Sequence, residues 1–306
     1  MKLSENHPFR SAEAKARFMA LYEERAREWP VASETRMVDT SFGQTFVRIS
    51  GPEDALPLVL LHGANVSSLS WIPNATALSE HFRIYAVDTI YDFGTGLGLS
   101  VYTRKLKKPS EFAHWLDEFF DALALDGAIN MMGMSYGGWM TAQYALRFPN
   151  RLGKIVLLAP ALTVFPGKFE MTARGVLSIF PPRRFFTKKL FYWIMQDAVE
   201  ESEASRLLVE RIMDDMMTAS KCLKRKMFVP PTVLNDEELR SFTMPVLVLI
   251  GEHEKLYSAR DAVARLNAVA PQIKTEIIPN AGHDLPFVRA DIVNRKVLEF
   301  LNEPQR

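Results

Sequence analysis

The chain has 306 residues, and its 37 Lys and Arg against 36 Asp and Glu give a formal charge of +1, which excludes a strongly basic footprint for nucleic acid. Its 48% hydrophobic and 24% charged residues exclude a disordered chain and are typical of a globular protein. Its single cysteine, Cys222, excludes an intrachain disulfide framework. The polar N-terminus is unlike a secretory signal and no apolar run approaches the ~18 residues of a membrane span, so we expect a cytoplasmic protein with no membrane span.

The first predicted element is a helix over residues 11–28, ended by Trp29-Pro30. It precedes two strands predicted within residues 35–50, which turn at Phe42-Gly43. Because this helix lies outside the following alternation of strands and helices, three roles are open for it. It can cover a pocket, pack on the body of the protein or mediate dimerisation.

Short continuous apolar runs dominate the next part of the chain and predict strands buried on both faces, as in a parallel sheet. They cover residues 58–61, 82–87, 129–134, 154–159, 246–250 and 273–278. Helical patterns alternate with these runs, beginning at Ser110, Tyr136, Ser258 and Leu285, with the two serines as predicted N-caps. This alternation predicts an α/β fold with a mostly parallel, twisted sheet flanked by helices.

About eighty residues between the fourth and fifth of these runs interrupt the alternation. A segment of that length is not expected to be a bare loop, and it contains a helical pattern at Leu208, Ile212, Met213 and Met216. We interpret it as a helical cap, inserted between the sixth and seventh strands and lying over the carboxyl edge of the sheet. The predicted organisation is an N-terminal helical extension at 1–30, a core at 31–160 and 241–306, and a cap at 161–240.

The strongest chemical signal is Gly133-Met134-Ser135-Tyr136-Gly137, which matches G-x-S-x-G between a predicted strand and a predicted helix. A nucleophile elbow requires this context, because a sharp strand-to-helix turn raises the serine hydroxyl above the sheet. A second signal, His62-Gly63-Ala64, follows an earlier strand. The backbone N–H groups of Ala64 and Tyr136 are therefore the candidate oxyanion hole, and His62 is expected to organise its loop.

A serine nucleophile needs a general base that titrates near neutral pH. His283 is the candidate, because Ala281-Gly282-His283-Asp284 follows a predicted strand at the edge where α/β sheets handle ligands. The acid that orients it is expected after the strand at 246–250, where Glu252 and Glu254 compete. We favour Glu254, which lies further into the loop. Asp284 is disfavoured because neighbouring side chains diverge.

The order Ser135, Glu254, His283 is the Ser, acid, His order of the α/β-hydrolase fold, and over residues 38–301 the chain resembles that superfamily. Short segments around residues 42–45, 50–55, 57–64 and 251–254 are similar to small bacterial carboxylesterases. The resemblance also implies Glu254 as the acid, at the fourth position of a Gly-x-x-acid pattern. The sequence departs from many relatives in having Glu there instead of Asp, and in a longer loop between Asp88 and Ser100.

The resemblance implies a serine hydrolase that cleaves small to medium apolar carboxylic esters through an acyl-enzyme, with no metal or cofactor. The alternatives are carbon–carbon, lactone or thioester hydrolysis or acyl transfer on the same triad, or a non-catalytic binding protein on this scaffold. Asn65, Met134 and Trp139 are the predicted pocket residues, from their positions alone. The expected partner is a small-molecule ester, and the chain is expected to be a monomer or a homodimer.

Overall fold

The computed structural model describes residues 8–90, 99–104, 106–171, 173–174, 184–224 and 229–304, with the backbone alone at Arg184. Most of the loop between Asp88 and Ser100 therefore lies outside the described residues. The strands are β1 (Glu34–Thr40), β2 (Gly43–Ser50), β3 (Pro57–Leu61), β4 (Arg83–Val87), β5 (Val101–Tyr102), β6 (Ile129–Met134), β7 (Leu152–Leu158), β8 (Val246–Gly251) and β9 (Lys274–Ile278). They form one sheet in the order β1-β2-β4-β3-β6-β7-β8-β9, with β5 paired to β2.

Eleven α-helices of the described residues accompany this sheet. They are α1 (Ala12–Ala26), α2 (Ile72–Ser79), α3 (Pro109–Ala122), α4 (Tyr136–Ala145), α5 (Arg184–Ile194), α6 (Gln196–Glu201), α7 (Glu203–Cys222), α8 (Asp236–Arg240), α9 (Ala259–Val269), α10 (Leu285–Val288) and α11 (Ala290–Asn302). The α/β-hydrolase fold predicted from the sequence is thereby confirmed. The helical insertion lies between β7 and β8, which are the sixth and seventh strands when the two-residue β5, which was not predicted, is left out.

The sheet is covered on both faces because successive residues of a strand point to opposite sides. In β3, Val59 and Leu61 pack in a cluster that includes Phe112 of α3, whereas Leu58 and Leu60 pack in the opposite cluster, which includes the residues of α2 and α11. The strands β3, β6, β7 and β8 are parallel neighbours in this sheet. Their carboxyl ends therefore meet at one edge, and loops that follow them are brought together there.

Three sequence predictions need correction. The apolar run at 273–278 forms β9, the last strand of the sheet order, in which Ile278 is buried but Ile277 is 36% exposed, so this strand is not buried on both faces. Helix α3 begins at Pro109 with Lys108 as its N-cap, so Ser110 lies inside the helix; proline is favoured at a first helical position. The predicted C-terminal helix is interrupted at Arg289 (φ −124°, ψ 37°), which separates α10 from α11.

The N-terminal helix packs on the body of the protein and on the insertion. Phe18 and Tyr22 of α1 are buried in a cluster with Phe46 of β2 and with Ala219 and Cys222 of α7. Arg25 forms a two-pronged ion pair with Asp215 of α7, with Nε and Nη2 at 2.8 and 3.1 Å from the two carboxylate oxygens. Among the described residues no helix is long and apolar enough to cross a membrane. The division of the chain into core and cap remains a prediction.

Candidate active site

Ser135 occupies the turn between β6 and α4, at the carboxyl end of a central strand. Its backbone has φ 52° and ψ −115°, in a region that residues with a side chain rarely adopt. The turn is held by two backbone hydrogen bonds, in which Ser135 N–H donates to Leu158 O at 2.9 Å and Ala161 N–H donates to Ser135 O at 3.0 Å. The strained turn is therefore tied to the end of β7, as expected of a nucleophile elbow.

Two of the predicted glycines are required by close approach of the backbone at this turn. A Cβ atom on Gly137 would lie 2.1 Å from the carbonyl oxygen of Leu61, and one on Gly133 would lie 2.3 Å from that of Gly137. Both distances are well inside van der Waals contact, so any side chain forces the backbone to move. The glycines thus let α4 pack directly against β3 and β6, which places the loop after β3 beside Ser135.

The side chains of Ser135, His283 and Glu254 form a hydrogen-bonded series. His283 Nε2 lies 2.9 Å from Ser135 Oγ, and His283 Nδ1 lies 2.8 Å from Glu254 Oε2. The three residues come from the loops after β6, β9 and β8, and all three are buried. A carboxylate accepts from Nδ1–H, so Nε2 is left as the acceptor for the serine hydroxyl, which is the tautomer that a general base requires.

Glu254 also determines the titration of the histidine. Burial lowers the pKa of His283, but the charge of the Glu254 carboxylate and its hydrogen bond outweigh burial, so the pKa lies above the ordinary 6.5. The Glu254 side chain is fully buried, and its second oxygen accepts from Leu256 N–H at 2.8 Å. The competing Glu252 is exposed and accepts from Asn280 N–H at 3.3 Å. Of the two glutamates, the structure therefore brings Glu254 to the histidine.

Asp284, next to His283, points away from the imidazole, as the sequence argument expected. Its two carboxylate oxygens accept from Ala198 N–H of α6 at 2.9 Å and from Gly282 N–H at 3.0 Å. Burial raises the pKa of Asp284 above its ordinary value, against the effect of these two N–H donors. This carboxyl group therefore fastens the insertion to the loop that carries His283. The sequence analysis missed that role, because the contact joins residues 86 positions apart.

The loop after β3 carries the proposed oxyanion donor and is organised by His62. Thr89 N–H donates to His62 Nε2 at 3.1 Å, so the proton of the neutral ring is on Nδ1, which donates to Gly63 O at 2.7 Å. A Cβ atom on Gly63 would lie 3.4 Å from Ser135 Cβ. Ala64, the next residue, is therefore held close to the elbow, and the N–H of Tyr136 is at the start of α4 directly after Ser135.

A buried carboxylate at the end of β4, that of Asp88, also holds the segment that follows Ala64 in place. Asp88 Oδ1 accepts from Ser68 N–H at 2.7 Å, and Oδ2 accepts from Leu99 N–H at 2.8 Å and from the Tyr22 hydroxyl at 3.2 Å. Burial and the charge of Asp88 raise the pKa of Tyr22 well above its ordinary value, so the phenol stays a donor. The loop that follows Ala64 is thus connected to the N-terminal helix. The position of Asp88 directly after a predicted strand was the available sequence signal for this residue.

The three predicted pocket residues have different surroundings. Asn65 is half-buried beside Ala64 with φ 63°, a conformation that asparagine tolerates. Met134 is the last residue of β6, and its sulfur would lie 3.8 Å from a Cβ on Gly63. Trp139 is fully buried, stacks on the ring of Tyr136 with centroids 5.1 Å apart and donates to Thr232 Oγ1 at 3.3 Å. Trp139 therefore packs the insertion onto α4, and the pocket role of all three residues remains a prediction.

Comparison with known proteins gives consistent results over most of the chain. Residues 58–296 match the alpha/beta hydrolase family. The chain is 36% identical to the uncharacterized carboxylesterase nap of Bacillus subtilis strain 168, over 94% of this chain and 92% of that protein. It is 34% identical to carboxylesterase YbfK of the same organism, over 98% of both proteins.

The fold comparison agrees with the sequence comparison. The crystal structure of carboxylesterase CesB (YbfK) from Bacillus subtilis superposes with a TM-score of 0.84 at 31% identity. The match covers 96% of this chain and all of that chain. The similarity therefore includes the N-terminal helix and the helical insertion as well as the sheet.

Proposed function

Because this chain belongs to the α/β-hydrolase family, we propose that Ser135, His283 and Glu254 are the nucleophile, base and acid with which it hydrolyses carboxylic esters. The chain is a carboxylesterase-type serine hydrolase, in keeping with relatives at 34–36% identity that span nearly its whole length. The observation that carries the residue assignment is the series from Ser135 Oγ through His283 to Glu254, with separations of 2.9 and 2.8 Å. Each member follows a different strand at the same edge of the sheet.

The proposed reaction has two acyl-transfer steps. His283 Nε2 takes the proton of Ser135 as Oγ attacks the ester carbonyl, and the tetrahedral intermediate collapses when Nε2 gives that proton to the departing alcohol oxygen. Water then adds to the acyl-enzyme with His283 as base, and the carboxylic acid leaves as the proton returns to Ser135. Glu254 holds the imidazole in the required tautomer and stabilises the imidazolium in both steps.

The negative charge that develops on the carbonyl oxygen needs preorganised donors. We assign this role to the N–H groups of Ala64 and Tyr136. Gly63 lies against Ser135, and His62 fixes this loop through its hydrogen bonds with Gly63 and Thr89. Tyr136 begins a helix whose N-terminus favours negative charge. These observations support the assignment. No step requires a metal or cofactor.

The substrate proposed is a small-molecule ester with a small to medium apolar group. Apolar side chains dominate the wall of a cavity that includes residues of the loop after Ala64. A cytoplasmic location remains part of the proposal, supported by a single cysteine that is buried in the structure. The proposal leaves open whether the chain acts as a monomer or a homodimer.

The assignment of the nucleophile is tested by Ser135→Ala. Removing the attacking oxygen leaves only binding and oxyanion contributions, so we expect kcat for para-nitrophenyl esters to fall by about 10⁴-fold or more. Intact-protein mass after exposure to a fluorophosphonate should show one adduct on the wild-type chain and none on the variant.

The matched control is Ser241→Ala, at an exposed serine beyond α8. It should keep both the adduct and the activity. Full esterase activity in Ser135→Ala, or an adduct that survives the substitution, would refute the assignment. The wild-type protein could also form the adduct but hydrolyse no ester in the acetate-to-decanoate series. That result would mean that the triad cleaves another type of bond.

A further inference from the structure

A cavity of about 270 Å³ lies between the N-terminal helix, the segment that follows the proposed oxyanion loop and the insertion. Its apolar wall includes Leu21 of α1, Val66 before α2, Ile72 of α2, Ile212 of α7 and Phe287 of α10. All five side chains are half-buried, so each keeps surface that the protein does not cover. Concave apolar surface of this kind is the usual lining of a small-molecule site.

The charged residues of the wall are neutralised in pairs. Arg25 is bonded to Asp215 through two nitrogens at 2.8 and 3.1 Å, and Arg211 lies 2.8 Å from Glu28. Two guanidinium groups thus face two carboxylates, and the cavity offers neither a spare cation to a carboxylate ligand nor a spare anion to an amine. The group that this wall fits is uncharged and apolar.

Two residues of the cavity wall are close along the chain to proposed catalytic residues. Val66 is two residues from Ala64, and consecutive Cα atoms are ~3.8 Å apart, so their Cα atoms lie within about 8 Å. Phe287 is four residues from His283, in α10, the helix that directly follows the loop of the proposed base. The triad side chains themselves are outside the cavity wall. Two residues of the cavity wall are therefore close along the chain to the proposed oxyanion donor and the proposed base, while the reacting groups lie outside the cavity.

We propose that this cavity binds one apolar arm of the ester, an uncharged aryl or branched alkyl group, and that the N-terminal helix thereby helps to select the substrate. The inference rests on the proposed function. An engineered apolar cavity of about 150 Å³ binds benzene, so a volume of about 270 Å³ suits a group of roughly twice that size, such as two fused rings. Leu21 and Ile212, on different elements, are specificity-determining residues in this scheme.

Ile212→Trp tests the proposal by filling the cavity from α7. The measured quantity is kcat/KM for a bulky ester divided by kcat/KM for 4-nitrophenyl acetate. One series varies the acyl group (4-nitrophenyl 2-naphthoate) and the other varies the alcohol (2-naphthyl acetate). We expect the ratio to fall by about 10-fold or more in one series, and that series identifies the arm that enters the cavity.

The matched control is Leu207→Trp, which introduces the same bulky residue five positions earlier in α7, where the side chain is 53% exposed. It should keep both ratios within about twofold, as expected for a surface substitution. If Ile212→Trp does not fold, Leu21→Phe makes a smaller addition from α1 and is expected to lower the same ratio. Unchanged ratios in both series for a folded filling variant would overturn the proposal.

A binding measurement separates this inference from the proposed reaction. The uncharged naphthalene dye 6-propionyl-2-(dimethylamino)naphthalene is titrated into Ser135→Ala, where no turnover is expected. Binding should shift its emission to the blue, and the double variant Ser135→Ala, Ile212→Trp should weaken the affinity by about 10-fold or more. If Ser135→Ala keeps its esterase activity while Ile212→Trp weakens dye binding, the proposed reaction is refuted and the proposed role of the cavity is supported. If the dye binds Ser135→Ala and the double variant with equal affinity, the proposed role of the cavity is refuted and the proposed reaction is unaffected.

Discussion

Two glutamates on one loop meet very different surroundings. Glu254 is fully buried against His283, whereas Glu252 is exposed and 4.0 Å from the exposed imidazole of His253. A buried carboxylate is retained only where its oxygens are hydrogen-bonded, and both oxygens of Glu254 are, to His283 and Leu256. The extra methylene of Glu relative to Asp is thus accommodated without loss of the contact to the base.

Glu254→Gln should therefore lower kcat by about 10⁴-fold, because an amide neither stabilises the imidazolium nor enforces the required tautomer. The remaining activity should also change its pH dependence. The base must be neutral, and the Glu254 charge raises the pKa of His283 above 6.5, so wild-type kcat/KM is lost as the pH falls through that raised pKa. Without the charge, the acid limb should move to lower pH.

The control for this experiment is Glu252→Gln, which removes a charge from the same loop at an exposed position. We expect its kcat/KM to stay within about twofold of wild type, with the acid limb unchanged. Equal effects of the two substitutions would contradict the assignment of Glu254.

At the scale of elements, the last helix is fastened to the central sheet by a buried lysine. Lys154 of β7 donates through Nζ to the carbonyl oxygens of Phe300 and Leu301, at 2.8 and 3.0 Å, and to that of Glu303. These carbonyls lie at the C-terminal end of α11, where a helix leaves backbone acceptors without the usual N–H donors; among them, Phe300 O also accepts from Glu303 N–H at 3.4 Å. Burial lowers the pKa of Lys154, and a cation at a helix C-terminus is favoured by the helix dipole.

We expect Lys154→Met to lower the free energy of unfolding by about 2 kcal/mol, because carbonyls bonded to a charged donor are left buried without it. The matched substitution Lys274→Met removes a lysine that binds the Glu303 carboxylate at the surface and should cost about 0.5 kcal/mol. Chemical denaturation of both variants measures the difference, and equal losses would show that the buried contacts to α11 add nothing.

At the scale of the whole molecule, the N-terminal helix and the insertion stabilise each other over the carboxyl edge of the sheet. Arg25 and Asp215 are 190 positions apart, yet their side chains are only 22% and 14% exposed where they meet. Asp215 raises the pKa of Arg25 through their hydrogen bond. The same two helices form opposite walls of the apolar cavity.

A double-mutant cycle on Arg25→Ala and Asp215→Ala should give a coupling free energy of about 1 kcal/mol, above the usual value for exposed pairs because the bond is two-pronged and partly buried. The readout is chemical denaturation of the wild-type chain, both single variants and the double variant. A second cycle, on Arg211→Ala and Glu28→Ala, tests the more exposed pair between α7 and the residues that follow α1, and it should give a smaller coupling. A coupling of zero in the first cycle would mean that the two helices are held by their apolar contacts alone.

The sequence by itself determined the fold class and the edge of the sheet at which the proposed catalytic residues lie. Continuous apolar runs separated by helical patterns encode a parallel sheet, since strands buried on both faces leave no polar alternation. The G-x-S-x-G motif located the elbow because close backbone approach at Gly133 and Gly137 excludes every side chain. These signals are local, and each can be evaluated from a few adjacent residues.

Only the tertiary structure decided which distant residues meet. It brought Glu254 rather than Glu252 to His283, placed Asp284 on the backbone of Ala198, and joined Tyr22 to Asp88. It also brought Trp139 to Thr232 of the insertion and left an apolar cavity beside the N-terminal helix. The physical reason is that hydrogen bonds and cavities depend on side chains positioned by separate elements. The residue pattern of one element does not predict which side chains of other elements will contact it.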